Sequence, residues 1–142
     1  MAMLYKDFLK ELTVCPFCSN QNRFIDEREM AFLTYALAPY HKHHLLVIPK
    51  RHSEIISDLN DADNRDIDLL TNRAIGILKK LGYKNMSVLV RQGNEAGKSI
   101  PHLHYHIIPD IRLGDIDHYG KDRVILADDE ISKLVNELKN LL

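Results

Sequence analysis

The sequence predicts an α+β fold with a mainly antiparallel sheet, a long crossover helix and a C-terminal helix. Two observations carry that expectation. Short runs of strand character cluster on either side of one long helical run, and further helical patterns sit near both ends of the chain. This arrangement fits an antiparallel sheet better than a doubly wound parallel one.

Taken in order, residues 5–12 have short helical character, and Cys15-Pro16-Phe17-Cys18 then forms a knuckle. Residues 30–37 are apolar with Thr34 and Tyr35, a strand pattern. His44-Leu45-Leu46-Val47-Ile48-Pro49 is a second strand, closed by its proline and by Lys50-Arg51-His52. The clearest helix follows, because Ile67, Leu70, Ala74, Ile77 or Leu78, and Leu81 recur at helical spacing. Asp58, Asn60 and Asp61 are its cap candidates and Gly82 its terminator. Met86–Val90 reads as a strand leading into the loop Gln92-Gly93-Asn94-Glu95-Ala96-Gly97-Lys98-Ser99. Residues 110–122 have no clear period, and Asp128 or Asp129 caps a last helix with the apolar face Ile131, Leu134, Val135, Leu138 and Leu141.

With 142 residues and no linker, repeat or low-complexity tract, the chain is expected to form one domain over residues 1–142. An apolar content of 45% and a mean hydropathy of −0.25 are those of an ordinary soluble protein. Nineteen basic and twenty acidic residues leave a formal charge of −1, so no global field attracts nucleic acid or an anionic membrane. Any phosphate recognition has to be local. No apolar run reaches membrane-spanning length, and the start has no signal-peptide core, so a cytoplasmic address is expected. The only cysteines, Cys15 and Cys18, are too few for a disulfide scaffold. They read as half a zinc site, a redox dithiol, or two buried thiols without a role.

The most informative run is Pro101-His102-Leu103-His104-Tyr105-His106-Ile107-Ile108-Pro109. In an extended strand, residues two apart share a face and lie about 6–7 Å apart. His102, His104 and His106 are therefore expected to line one surface while Leu103, Tyr105 and Ile107 face the other. Imidazole titrates near neutral pH, attacks phosphorus or acyl centres when neutral, and binds metals. One such histidine is most often a solvated side chain; three in strict alternation imply chemistry.

The stretch from Gly93 to Pro109 resembles the histidine triad (HIT) family of nucleotide hydrolases and transferases, whose signature is His-φ-His-φ-His-φ-φ with φ apolar. The block His44-Leu45-Leu46-Val47-Ile48-Pro49-Lys50-Arg51-His52 is similar to a second family strand. With the cysteine knuckle, the resemblance covers most of residues 13–110 and implies a HIT-like fold. It also implies that His104 is the nucleophile, attacking the α-phosphorus to give a nucleotidyl-histidine that water or another acceptor resolves. His106 would orient oxygens or share charge, and His44 matches the fourth active-site histidine. The loop's Gly97, Lys98 and Ser99 can offer backbone N–H groups, a hydroxyl and an ammonium to phosphate, with Asn94 beside them. Many relatives carry Gln where Lys98 stands.

In zinc-containing members, two histidines complete the metal site begun by the Cys-x-x-Cys pair. Here they correspond to His52 and His102, which gives the ligand set Cys15, Cys18, His52 and His102 for a structural zinc. One departure is Ala36, eight residues before His44, where many members place an Asp or Asn that bonds the ribose. His41 and His43 are expected to be solvated loop residues. The expected function is thus a zinc-stabilised nucleotide hydrolase or transferase, a homodimer as in the resembled family, acting on dinucleoside polyphosphates or adenosine phosphoramidates. Its competitors are a non-catalytic nucleotide-binding or signalling module with a structural zinc, and a histidine-rich metal-handling protein.

Overall fold

The computed structural model describes residues 4–19, 24–93, 100–111 and 127–141. The chain divides into two units, Met1–Arg112 and Leu113–Leu142.

In the first unit, β1 (Phe24–Glu27), β2 (Ala31–Tyr35), β3 (Leu45–Pro49), β4 (Met86–Val90) and β5 (Tyr105–Pro109) form one sheet in the order β1-β2-β3-β5-β4. Every neighbouring pair is antiparallel. The chain leaves β3 through the long helix α3 (Asp61–Lys80), reaches the edge as β4, and returns as β5 between β3 and β4. The expected crossover helix is therefore present, within an antiparallel sheet. Strand β1 carried no clear signal; it is four residues long, with a register shift between Phe24 and Asp26.

Alternation along β3 divides the core. Leu45 and Val47 join Ala31, Leu33, Leu103 and Ile107 against the α3 stripe of Ile67, Leu70, Ala74 and Leu78. Leu46 and Ile48 face the other way, joining Phe17, Phe32, Ala36 and Ile100, with Phe8 and Leu12 of the N-terminal segment packed on them. That segment contains two short helices, α1 (Tyr5–Glu11) and α2 (Pro16–Ser19). Each fully buried Leu or Ile of these clusters stabilises the fold by about 1.5–3 kcal/mol. Of the expected helical stripe, Leu81 is exposed, because the helix has already ended there.

Both ends of α3 follow side-chain chemistry. Asn60 is the cap: its side chain accepts from the Asp63 N–H, and Asp63 accepts from the Asn60 N–H, a capping box. Arg51 Nε also donates to the buried Asp63 carboxylate at 2.9 Å, which ties the segment after β3 to the start of α3. At the other end Gly82 has φ +97°, a left-handed conformation that suits glycine. The N–H groups of Gly82 and Tyr83 return to the carbonyls of Lys79 and Leu78, a turn that closes the helix.

In the second unit, α4 spans Asp128–Lys139. Its cap position is Ala127, with no side-chain cap bond, so Asp128 and Asp129 are not caps. They lie in the first turn, where their charge still complements the helix dipole. Ile131, Leu134, Val135 and Leu138 are exposed. Among the described residues no helix is long and apolar enough to cross a membrane.

Candidate active site and metal centre

Face parity sends the functional histidines toward the N-terminal segment. Leu46 and Ile48 share a parity along β3 that His44, just before the strand, continues, and Leu46 pairs with His106 across the β3–β5 ladder. His44 and His106 are thus diagonal neighbours on one face, with His44 Nε2 2.9 Å from His106 Nδ1.

The strand expected to carry all three triad histidines is shorter than the alternation implied. It begins at Tyr105, so only His106 lies in it. Upstream, the His102 N–H turns back to the Ile100 carbonyl at 2.8 Å, and the Leu103 N–H donates to Ser53 O at 2.7 Å. These bonds draw residues 102 and 103 out of the ladder. Leu103, Tyr105 and Ile107 nevertheless meet the α3 side of the core, and His102, His104 and His106 all line one pocket.

Backbone groups fix the proton on His44, His104 and His102, and His44 fixes it on His106. The Tyr40 N–H donates to His44 Nδ1 at 3.1 Å, which leaves the His44 proton on Nε2 to be donated to His106 Nδ1. His106 then carries its own proton on Nε2. His104 Nδ1 lies 2.7 Å from the His102 carbonyl, which can only accept, so the neutral His104 keeps its lone pair on Nε2. His102 Nε2 is likewise held at 2.7 Å by the Pro49 carbonyl, which leaves its Nδ1 as a lone pair.

Burial keeps these rings neutral. His44 is lowered to about 4, first by desolvation and then by the charges of His104 and His41. His106 is lowered to about 3 by desolvation, then by His104, His44 and Arg91. His104 is also lowered, chiefly by burial, against the bond to the His102 carbonyl. At neutral pH the cluster thus consists of uncharged imidazoles with defined donor and acceptor ends.

His102 Nδ1 points at a second cluster. It lies 3.4 Å from Cys15 Sγ, 3.5 Å from Cys18 Sγ and 3.2 Å from His52 Nδ1, while Cys18 Sγ is 3.2 Å from His52 Nδ1. The four ligand atoms all lie within 4.8 Å of one another. A tetrahedral ion with thiolate and imidazole ligands at zinc distances separates neighbouring ligand atoms by about 3.3–3.8 Å. The donor set fits a metal, and the His102–Pro49 bond is the outer hydrogen bond that orients a metal-bound imidazole. Phe17 of α2 packs edge-on against both His102 and His104, at 5.8 and 5.3 Å between ring centroids, and joins this cluster to the imidazoles.

The pocket over the imidazoles has a volume of about 660 Å³. One wall is apolar, with Phe17, Ala36, Leu37, Pro39 and Leu46, and Tyr40 stacks on His44 at 5.8 Å. Leu89, Arg91 and Gln92 form another wall.

Residues 19–112 match the model of the HIT domain family. The chain belongs to the HIT family. It is 29% identical over 126 residues to an uncharacterised HIT-like protein of Methanocaldococcus jannaschii, covering 79% of this chain and 96% of that protein. It is 39% identical over 80 residues to the adenosine 5'-monophosphoramidase hnt1 of Schizosaccharomyces pombe, a match that covers 56% of each. A 100-residue match at 29% identity to the AP-4-A phosphorylase of Mycobacterium tuberculosis covers 68% of this chain and 51% of that one. The crystal structure of a histidine triad nucleotide-binding protein from Candida albicans superposes with a TM-score of 0.70 at 23% identity, over 89% of this chain and 96% of that one, and shares its fold.

His44, His104 and His106 come together within the matched residues, and Cys15 and Cys18, which precede them, meet His52 and His102. Asn94, Gly97, Lys98 and Ser99 lie outside the described residues. His41 and His43 are not solvated loop residues: both are half-buried, and the turn ending α3 brings the Tyr83 hydroxyl to 2.7 Å from His43 Nδ1. Sequence reasoning missed Tyr40, Phe17 and Arg91. For Arg91 a signal existed, since it directly follows a predicted strand and flanks the phosphate-type loop.

Proposed function

We propose that this HIT protein is a nucleotide hydrolase or transferase that attacks the α-phosphorus of dinucleoside polyphosphates or adenosine phosphoramidates. The observation that carries the reading is the His104 Nδ1 bond to the His102 carbonyl, because it holds the proton on Nδ1 and sets the nucleophilic lone pair of the neutral ring on Nε2. His104 Nε2 forms a bond to phosphorus as the bond to the leaving group breaks, and the leaving group takes the electron pair and a proton from solvent. Water or phosphate then attacks the phosphorus of the nucleotidyl-histidine, the P–N bond breaks with its electron pair returning to His104 Nε2, an attacking water gives up its proton to solvent, and the neutral imidazole is restored. The His106 Nε2 proton, oriented through His44 and the Tyr40 N–H, is a donor for a phosphoryl oxygen. Gly97, Lys98, Ser99 and Asn94 are proposed to complete the phosphate contacts. The names of the phosphoramidase and phosphorylase relatives support this chemistry.

Cys15, Cys18, His52 and His102 are proposed to hold a structural zinc, which would brace the N-terminal knuckle against the nucleophile's backbone anchor. The protein is further proposed to act in the cytoplasm as a homodimer of single-domain chains. A second reading, a non-catalytic nucleotide-binding module, draws on Ala36, which lines the pocket and cannot bond a ribose through its side chain.

One experiment separates the two. Wild type and His104→Ala are mixed with diadenosine tetraphosphate or adenosine 5′-phosphoramidate, and turnover and intact mass are followed. The expected result is turnover with a transient nucleotidyl adduct in the wild type, and neither in a folded His104→Ala. Wild-type rates in that variant would remove the nucleophile assignment. Binding without adduct or turnover in the wild type would favour the second reading.

A further inference from the structure

His44, His104 and His106 bring hydrogen-bonding imidazoles to the pocket, and a phosphate-rich substrate also calls for a compensating positive charge. The permanent cation on the described pocket wall is Arg91. The β4–β5 register pairs Leu89 with His106 and Val90 with Tyr105, and one further step sets Arg91 opposite His104. Side chains alternate along this stretch, so Arg91 shares a face with Leu89, and both line the pocket. Its charge bears on both His104 and His106. Arg28, Lys50, Arg51 and Arg73 each pair with a carboxylate, whereas among the described residues Arg91 forms no ion pair. That includes Glu54, which lines the same pocket. Arg91 is thus an exposed, unneutralised guanidinium beside the reacting histidine.

A guanidinium presents a planar fork of donors that matches two phosphate oxygens at once. Its Coulombic attraction grows with the charge it faces. The phosphoryl group of a nucleoside phosphoramidate carries one or so negative charges; a polyphosphate bridge carries several.

We propose that Arg91 is a phosphate-binding, specificity-determining residue that favours dinucleoside polyphosphates over nucleoside phosphoramidates. This rests on the nucleotide reading above. It differs from the role of the 94–99 loop in acting from the β4 end of the sheet.

The test measures kcat/KM on diadenosine tetraphosphate and on adenosine 5′-phosphoramidate for wild type, Arg91→Gln and Arg91→Lys. In Arg91→Gln the ratio of the first to the second is expected to fall about tenfold, the scale of one charge-assisted hydrogen bond. Arg91→Lys is expected to retain a larger share of that ratio than Arg91→Gln. Added salt is expected to erode the ratio in the wild type and barely in Arg91→Gln. An unchanged ratio, including equal losses on both substrates, overturns the proposal. Calorimetric titration with inorganic tripolyphosphate makes the outcome independent of nucleotide chemistry. Tripolyphosphate binding that weakens in Arg91→Gln, with neither nucleotide turned over by the wild type, supports the phosphate role of Arg91 and removes the catalytic reading. Turnover of both nucleotides with an Arg91-independent ratio keeps that reading and removes this one.

Discussion

A neutral imidazole has one proton for two nitrogens, and here main-chain groups decide where it sits. The Tyr40 N–H, the His102 carbonyl and the Pro49 carbonyl each hold one nitrogen of His44, His104 and His102. The sequence could suggest which histidines matter but not these tautomers, because the partners are backbone atoms brought in by folding. The same burial has a thermodynamic consequence. In the unfolded chain His44 and His106 titrate near the ordinary histidine value of about 6.5. In the folded protein desolvation, and then neighbouring charge, holds them at about 4 and about 3. Below about pH 6.5 the unfolded state therefore binds more protons, and stability falls as pH drops toward those folded values. Above that pH these two residues add no pH dependence. The thermal midpoint is expected to decline from about pH 7.5 to about pH 5, more steeply in the wild type than in a His44→Gln, His106→Gln double variant. Both proteins share the Cys15–Cys18–His52–His102 cluster, so its own acid sensitivity cancels in that comparison. Equal slopes would contradict the assignment.

Among the elements, the long ones were legible and the short ones were not. The α3 stripe, its Asn60 cap and its Gly82 stop announce themselves because periodicity runs over several turns and the caps have side-chain chemistry. Strand β1 is too short to show a period, and β5 begins three residues later than His102 because Ser53 O and Ile100 O take N–H groups that a ladder would use. The irregular backbone has a use: it separates His102 from His104, so that one faces the cysteines while the other joins His106 over the pocket. The knuckle of α2 closes this arrangement through Phe17. If the four-ligand cluster holds zinc, purified protein carries about one zinc per chain, and Cys18→Ser or a strong chelator lowers both metal content and thermal midpoint. Metal-free protein of unchanged stability would sink the structural-zinc proposal.

At the scale of the whole molecule, the sequence indicated strands around a crossover helix but not their order. Inserting β5 between β3 and β4 leaves β1 and β4 as the edges among the described strands, and no local pattern encodes that choice. The two edges are unequal. Strand β1 is short and broken by its register shift, a feature that discourages strand addition, whereas β4 is a regular five-residue strand with Val88 half exposed. A homodimer formed through the sheet should therefore use β4. Light scattering is expected to give about twice the 16.4 kDa chain mass, and Val88→Lys is expected to shift the protein toward the monomer. The exposed apolar residues of α4 offer a different contact, which Leu138→Lys addresses. Loss of the dimer in Leu138→Lys but not in Val88→Lys would move the interface to the second unit. A wild type that scatters as a monomer at working concentrations would remove the dimer altogether, and the pocket beside β4 would then have to be complete within one chain.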